Sequence, residues 1–228
     1  LNIRWKHVQN RKDAGEKLAK ALEKYRTEYP IILAIPRGGV EVGLQVAAKL
    51  NADFSLIIAR KMPFPDNPEA GFGAIAENGS MFILENAHYW LSGETIERIK
   101  QEQIAEIERR IKALRGGKTL PELAGRTVIL IDDGIAMGST MRAAIELCKN
   151  RKAGKIVVAV PVAGREVAEE LQKKVDELVV LEIPAYFRAV AQAYERWYDV
   201  SDEEVLDLLR ESIREKELKD QEFHGLET

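Results

Sequence analysis

Residues 127–144 read TVILIDDGIAMGSTMRAA. The apolar run from Val128 to Ile131 is short and unbroken, the pattern of a strand buried on both faces. It ends in Asp132 and Asp133, and Gly134 and Gly138 then loosen a turn before a helix runs from Met141 to Lys149. A helix starting there points unpaired N–H groups at the turn, where an anion can accept from them. Ser139 and Thr140 add hydroxyl donors, whereas two acceptor-only carboxylates suit sugar hydroxyls or a magnesium ion. An isolated Asp-Asp-Gly is also what an ordinary capped strand-to-helix turn contains, so its surroundings must carry the reading.

Those surroundings alternate in the same way. Ile31 to Ile35 reads as a second buried strand, followed by the turn Pro36-Arg37-Gly38-Gly39 and a helix from about Val40 to Leu50. Arg37 and the glycine amides can face an anion at that helix N-terminus, although Gly-Gly also serves a tight turn by itself. Phe54 to Ala59 is the next strand, and Arg60 and Lys61 end it, a place where a solvated basic pair is common. Pro63, Pro65 and Pro68 exclude a helix over the segment that follows and predict a long exposed loop, mobile over about 62–79.

After a short strand at Met81 to Leu84, Ser92 opens a long helix to about Leu114. Its Ile96, Ile99, Ile104, Ile107, Ile111 and Leu114 make one stripe, which could cover the chain's own sheet or a second copy. Ile156 to Val160 and Leu178 to Leu181 complete the strands, with a helix over about Glu166 to Lys174 between them. Asp13 with Glu16 is a capping-box pattern for a first helix ending near Tyr29. Ser201 with Glu204 is another, for a C-terminal helix over about 201–218 that frays after Lys216. The alternation predicts a single α/β domain over 1–228, a parallel sheet flanked by helices with ligands at the carboxyl ends of its strands.

Composition narrows the function classes. A chain of 228 residues, 46% hydrophobic, can bury one substantial core. Its formal net charge of -3, with no dense Lys/Arg block, argues against a nucleic-acid surface. No apolar run approaches the roughly 18 residues of a membrane helix, and LNIRWKHVQN is too polar for a secretory signal. The single Cys148 follows the apolar run of a helix and reads as a small buried hydrophobe, in keeping with a reducing, cytoplasmic setting. His7, His88 and His224 lack ligand spacing, so a zinc site is unsupported.

The stretch from Val128 to Thr140 resembles the phosphoribosyl pyrophosphate signature of the type I phosphoribosyltransferases: a hydrophobic strand, two acids and a loop of the form A/T-x-G-x-T. Met137 departs from it, standing where that family usually carries Thr or Ser. Arg37-Gly38-Gly39 is similar to the family's pyrophosphate loop, and Arg60-Lys61 to a pair in its adenine-type members. ARKMPFPDNPEAGFGAIAENG from Ala59, PVA from Pro161 and AVAQAYERWYDVSDEEV from Ala189 resemble a branch whose substrate is unassigned.

The resemblance implies a type I phosphoribosyltransferase-like parallel sheet with a small hood and an inserted long helix. It further implies magnesium-dependent transfer of phosphoribose from phosphoribosyl pyrophosphate to a small nitrogenous acceptor, in nucleotide salvage or synthesis. On that footing Ala136, Met137, Gly138, Ser139 and Thr140 cradle the 5′-phosphate. Asp132 and Asp133 take the ribose hydroxyls and the Mg2+, and Arg37, Gly38, Gly39, Arg60 and Lys61 meet the pyrophosphate. Asp132, Asp133 and Lys61 form the expected catalytic set, together with Glu77 as an acid/base or loop-ordering group.

Ala136 stands where hypoxanthine and guanine enzymes place an acid, which disfavours a 6-oxopurine acceptor. Phe64, Phe72, Tyr186 and Phe187 are candidate stackers on the base, while Phe187, Val190, Tyr194, Trp197 and Tyr198 recur at helical spacing as packing. Met137 also motivates an alternative, a non-catalytic regulatory protein that binds phosphoribosyl pyrophosphate or a nucleotide. A hydrolase or phosphotransferase using Asp132 or Asp133 as nucleophile lacks the further acids and the lysine such chemistry needs.

Overall fold

The computed structural model describes residues 8–225; His7 and the side chain of His224 lie outside what is described. In chain order the elements are α1 (Arg11–Ala21), a 3-10 helix (Glu23–Glu28), β1 (Ile31–Ala34), α2 (Gly39–Leu50), β2 (Asp53–Leu56), β3 (Ala59–Phe64), β4 (Asn67–Ala76) and β5 (Met81–Ile83). Then follow α3 (Ala87–Trp90), α4 (Gly93–Arg115), β6 (Thr127–Ile131), α5 (Ser139–Asn150), β7 (Lys155–Val162), α6 (Arg165–Gln172), β8 (Glu177–Glu182) and α7 (Asp202–Gly225).

Five strands form one parallel sheet in the order β2-β1-β6-β7-β8. Its strands are unbroken apolar runs because both faces are covered. Val128 and Leu130 join the core that includes Met141, Ile145 and Leu171, whereas Ile129 and Ile131 join Leu18, Val42 and Val46 on the other side. Ala34 of β1 pairs with Ile131 of β6, so the turn Pro36–Gly39 and the acids Asp132 and Asp133 leave the sheet side by side. That edge is where a doubly covered parallel sheet presents its ligand site.

The segment expected as an exposed loop over 62–79 is instead an antiparallel hairpin, β3 and β4, extended by β5 into a second, three-stranded sheet. Its prolines exclude a helix but not a strand: the ladder slips between Met62 and Pro63 and again between Pro63 and Phe64, as expected where a residue cannot donate. What holds it is burial of Met62, Phe72, Ala74 and Ile75. Phe72 is fully buried with its ring edge-on to Phe64 at 5.6 Å between centroids, so it serves the core and cannot stack on a ligand.

The stripe of α4 settles on this hairpin. Ile96, Ile99, Ile107 and Leu114 bury against Met62, Phe72, Ile75 and Val205, the last from α7. Ser92 caps α4, its hydroxyl accepting from the Thr95 N–H at 3.1 Å. Ser201 and Glu204 make the reciprocal capping pair read from the sequence, at 3.1 and 2.6 Å, and α7 continues through Gly225, past Lys216 where fraying was expected. Among the described residues no helix is long and apolar enough to cross a membrane.

Two further expectations shift. The first helix begins at Arg11 rather than beyond Asp13, because Asn10 caps it by accepting from the Asp13 N–H at 2.9 Å. It ends at Ala21, and the Tyr29 approach is 3-10. Helical spacing of the aromatics after residue 186 does not produce a helix there: only Val190–Ala193 forms a 3-10 turn, and Tyr194, Trp197 and Tyr198 wrap around Arg11 instead.

Cys148 is fully buried on α5, and burial pushes its thiol up to about 12. Labelling of the native chain by a disulfide reagent at pH 8 should run on the order of a thousandfold slower than labelling in denaturant, since the thiolate reacts. Equal rates in the two states would contradict that burial.

Candidate functional site

A cavity of about 170 Å³ opens at the carboxyl edge of the large sheet. Asp132 and the loop from Gly134 to Met141 line one side, and Lys61, Glu69 and Gly71 of the hairpin line the other. The structure therefore brings together Lys61, Asp132, Ala136, Met137, Gly138, Ser139 and Thr140. The Lys61 ammonium donates to the Glu69 carbonyl across the hairpin at 2.7 Å, which holds a positive charge opposite the loop.

The loop is built to offer donors. Gly138 has φ 74°, and a Cβ there would come within 2.6 Å of Val167 Cγ2, so only glycine lets α5 begin at this point. The backbone N–H groups of residues 136–140 donate to no acceptor among the described residues. Ala136 and Met137 are exposed while Ser139 is buried.

The two acids have different surroundings. Asp132 faces the cavity and accepts the Asp133 N–H at 2.8 Å. Asp133 is buried, and its Oδ2 accepts from both Nε and Nη2 of Arg11 at 2.9 Å. Arg11 is 2% exposed, donates to the Tyr198 carbonyl at 2.9 Å and lies 4.2 Å from the Trp197 ring centroid. The Tyr194 hydroxyl donates to the Asp133 carbonyl at 2.6 Å. Burial raises the Asp133 carboxyl while the Arg11 charge works against the rise. Burial and then the Asp133 charge hold Asp132 well above the usual carboxylate range.

Gly38 and Gly39 stand behind the acids rather than in the cavity. A Cβ on Gly38 would lie 1.8 Å from Asp133 Oδ2, and one on Gly39 2.8 Å from the Ile131 carbonyl oxygen, so the close approach of turn and acids requires glycine. Arg37 and Arg60 are not in the cavity wall either. The Arg37 guanidinium is 4.0 Å from the Asp202 carboxylate, and Arg60 Nε donates to Gln103 of α4 at 3.2 Å. Arg109 and Arg110 of the same helix pair with Glu106, and Arg109 also reaches Asp202 at 2.9 Å. Arg37, Arg109 and Arg110 thus share two carboxylates while Arg60 has only an amide partner among the described residues, and burial followed by the Arg110 charge presses Arg60 below its ordinary value. An excess of positive charge there suits a polyanion.

Of the two roles expected for Glu77, acid/base or loop-ordering, its contacts suit the second. It is absent from the cavity wall, and its carboxylate accepts from Arg115 at 2.9 and 2.5 Å and from the Ile58 N–H at 2.9 Å. A carboxylate held by a buried guanidinium fastens the hairpin to the end of α4 and is turned away from the cavity.

Residues 5–194 match the family model described as a phosphoribosyl transferase domain. The chain belongs to that family. Two Mycobacterium tuberculosis proteins, "Putative phosphoribosyl transferase MT0597" of strain CDC 1551 and "Putative phosphoribosyl transferase Rv0571c" of strain H37Rv, are each 34% identical to it over 214 residues. The alignment covers 92% of this chain and 48% of theirs, so the chain spans about half the length of these curated relatives. The crystal structure of TT1426 from Thermus thermophilus is 35% identical and superposes with a TM-score of 0.76 over 90% of this chain and 98% of that one.

Within this phosphoribosyl transferase domain no three His, Cys, Asp or Glu side chains converge as a metal cage among the described residues. Asp132, with Asp133 committed to Arg11, fits an ion that keeps waters and substrate oxygens as most of its ligands, which is how magnesium binds. Reading the sequence misses Arg11, Arg115 and Arg142. For Arg11 a signal existed: a cation in the first turn of a helix opposes the dipole, which suggests a carboxylate partner from elsewhere.

Proposed function

We propose that this domain binds phosphoribosyl pyrophosphate with magnesium and transfers its phosphoribosyl group to a nitrogenous base, releasing pyrophosphate. The observation that carries the reading is the cavity lined by Lys61, Asp132 and residues 136–140, whose amides have no acceptor among the described residues. The loop amides and the hydroxyls of Ser139 and Thr140 receive the 5′-phosphate, and Asp132 accepts from a ribose hydroxyl. Lys61 and the Arg37–Arg60 cluster draw the pyrophosphate. Charge-assisted contacts contribute about 1.5–3 kcal/mol each and a helix N-terminus about 0.3–1 kcal/mol, enough together to hold a polyanion. Magnesium bound to the pyrophosphate and Asp132 would neutralise the leaving group.

The base attacks the anomeric carbon, and Lys61 faces the charge that develops on the departing oxygen. The hairpin that carries Lys61 and Glu69 is the element whose closure would exclude water. Ala136, exposed on the loop, offers no carboxylate to a 6-oxopurine, which favours other acceptors. A single, unpaired and buried Cys148 fits a reducing cytoplasm, and the transfer reaction itself would place the domain in nucleotide metabolism.

Calorimetry with phosphoribosyl pyrophosphate, with and without magnesium, should give saturable binding that strengthens with the metal; no heat in either case ends this reading. A panel of bases assayed for pyrophosphate release then identifies the acceptor. The second reading, a sensor that binds the same ligand without turnover, draws on Met137 exposed at the loop and on Glu77 sequestered by Arg115. Binding of the donor with no release by any base would favour it.

A further inference from the structure

We infer that Arg142 is a positioning residue that aims the Met137–Gly138 peptide at the phosphate, which allows this domain to function without a hydroxyl at position 137. The inference rests on the reading above only in taking residues 136–140 as a phosphate seat. Arg142 lies on the first turn of α5, 8% exposed, and its guanidinium is held from three sides. Its Nη1 donates to the Met137 carbonyl at 2.6 Å. Nε and Nη2 donate to the Glu170 carboxylate of α6 at 2.9 and 2.5 Å, and the guanidinium carbon sits 4.7 Å from the ring centroid of Phe82 on β5.

A trans peptide carries its C=O and N–H on opposite sides. Drawing the Met137 carbonyl inward to Arg142 therefore turns the Gly138 N–H outward, on the side where Met137 and Gly138 line the cavity. That N–H has no acceptor among the described residues, and the Gly138 carbonyl is tied in turn by the Arg142 backbone N–H at 2.9 Å. The left-handed φ of Gly138 permits the arrangement, and the Met137 side chain points to solvent at 63% exposure. A backbone donor with a fixed direction thus replaces a side-chain hydroxyl. A cation in the first turn of a helix opposes its dipole, so Arg142 is not explained by favouring α5 itself. Glu170 and Phe82 fix the guanidinium, and they tie the loop to α6 and to the small sheet that carries Lys61.

The test uses two probes, ribose 5-phosphate and inorganic pyrophosphate, followed by amide NMR on the wild type and on Arg142→Met, Arg142→Lys and Glu170→Gln. Ribose 5-phosphate is expected to shift the Gly138 amide of the wild type. Arg142→Met should bind it about tenfold more weakly, the loss of one directed hydrogen bond, and lose the Gly138 shift while pyrophosphate affinity stays within about twofold. Arg142→Lys, which keeps one donor, should recover part of the loss. Glu170→Gln, which keeps an amide oxygen to accept from Arg142 on a side chain 43% exposed, should weaken ribose 5-phosphate by a smaller factor. An Arg142→Met chain with wild-type affinity and an unchanged Gly138 shift would overturn the inference. So would an equal loss of both probes, which marks a merely structural residue, or a wild-type Gly138 amide indifferent to ribose 5-phosphate. If the wild type takes ribose 5-phosphate at Gly138 but not phosphoribosyl pyrophosphate with magnesium, the transferase reading falls and Arg142 keeps its role.

Discussion

Arg11→Gln and Asp133→Asn should each lower the stability of the domain by about 3–5 kcal/mol, because each removes one member of a buried ion pair and leaves the other uncompensated. The side chains of Arg11 and Asp133 are 3% and 12% exposed, and two guanidinium nitrogens converge on one carboxylate oxygen at 2.9 Å. Water cannot replace either partner without opening the contact between α1, the end of β6 and the aromatic segment at Tyr194, Trp197 and Tyr198. The double variant should cost much less than the sum, since the charge left behind by one change is removed by the other. Urea unfolding of the four chains measures this. A loss below about 1 kcal/mol for both single variants, or strict additivity, would show that the pair carries no coupling.

Asp132→Asn should move stability the other way while weakening donor binding. Asp132 is held well above the usual carboxylate range by burial and by the Asp133 charge, so its ionised form is disfavoured in the folded chain. A carboxyl whose folded pKa lies above its unfolded one stabilises the fold while protonated, and stability falls as pH rises from the unfolded value, about 3.9, through the raised folded value. Asparagine removes that fall. Without magnesium, the variant should therefore melt higher than wild type at pH 8, with a gain of about 0.5–2 kcal/mol that shrinks toward pH 4. Loss of a charge-assisted contact to the donor should cost about 1.5–3 kcal/mol, or roughly 10- to 150-fold in affinity. Melting curves across pH, paired with calorimetry, read both effects. A variant less stable than wild type at pH 8, or one with undiminished donor affinity, sinks the assignment of Asp132 as the strained, ligand-facing acid.

The acids differ in a way that their adjacency conceals. From Thr127 to Ala144 the order of apolar residues, acids, glycines and hydroxyls is local, and it marks a strand, a turn and a helix start that the neighbouring strands β1 and β7 then complete. The same holds for α4, where Ser92 caps and one apolar stripe names the buried face. The hairpin at Ala59–Ala76 departs from the expected loop because proline excludes a helix more strongly than it excludes an irregular strand, and because the burial of Phe72 and Ile75 depends on α4 and α7 closing over them while α5 closes over Ala74 and Ala76. Glu77 reads as a loop carboxylate for the same reason. Its guanidinium partner, Arg115, ends a helix 38 residues on.

The alternation that builds the large parallel sheet, and the glycine-bearing loop beside paired acids, follow from the amino-acid sequence alone, as consequences of side-chain periodicity and of the backbone freedom of glycine at Gly138, whereas the second, antiparallel sheet does not. Which acid faces the cavity is settled in three dimensions. That choice depends on Arg11, 122 residues away from Asp133, which claims that acid and leaves Asp132 to the cavity. A charge selects its partner by distance and burial in the folded chain, and neither quantity is written in the spacing of residues along it.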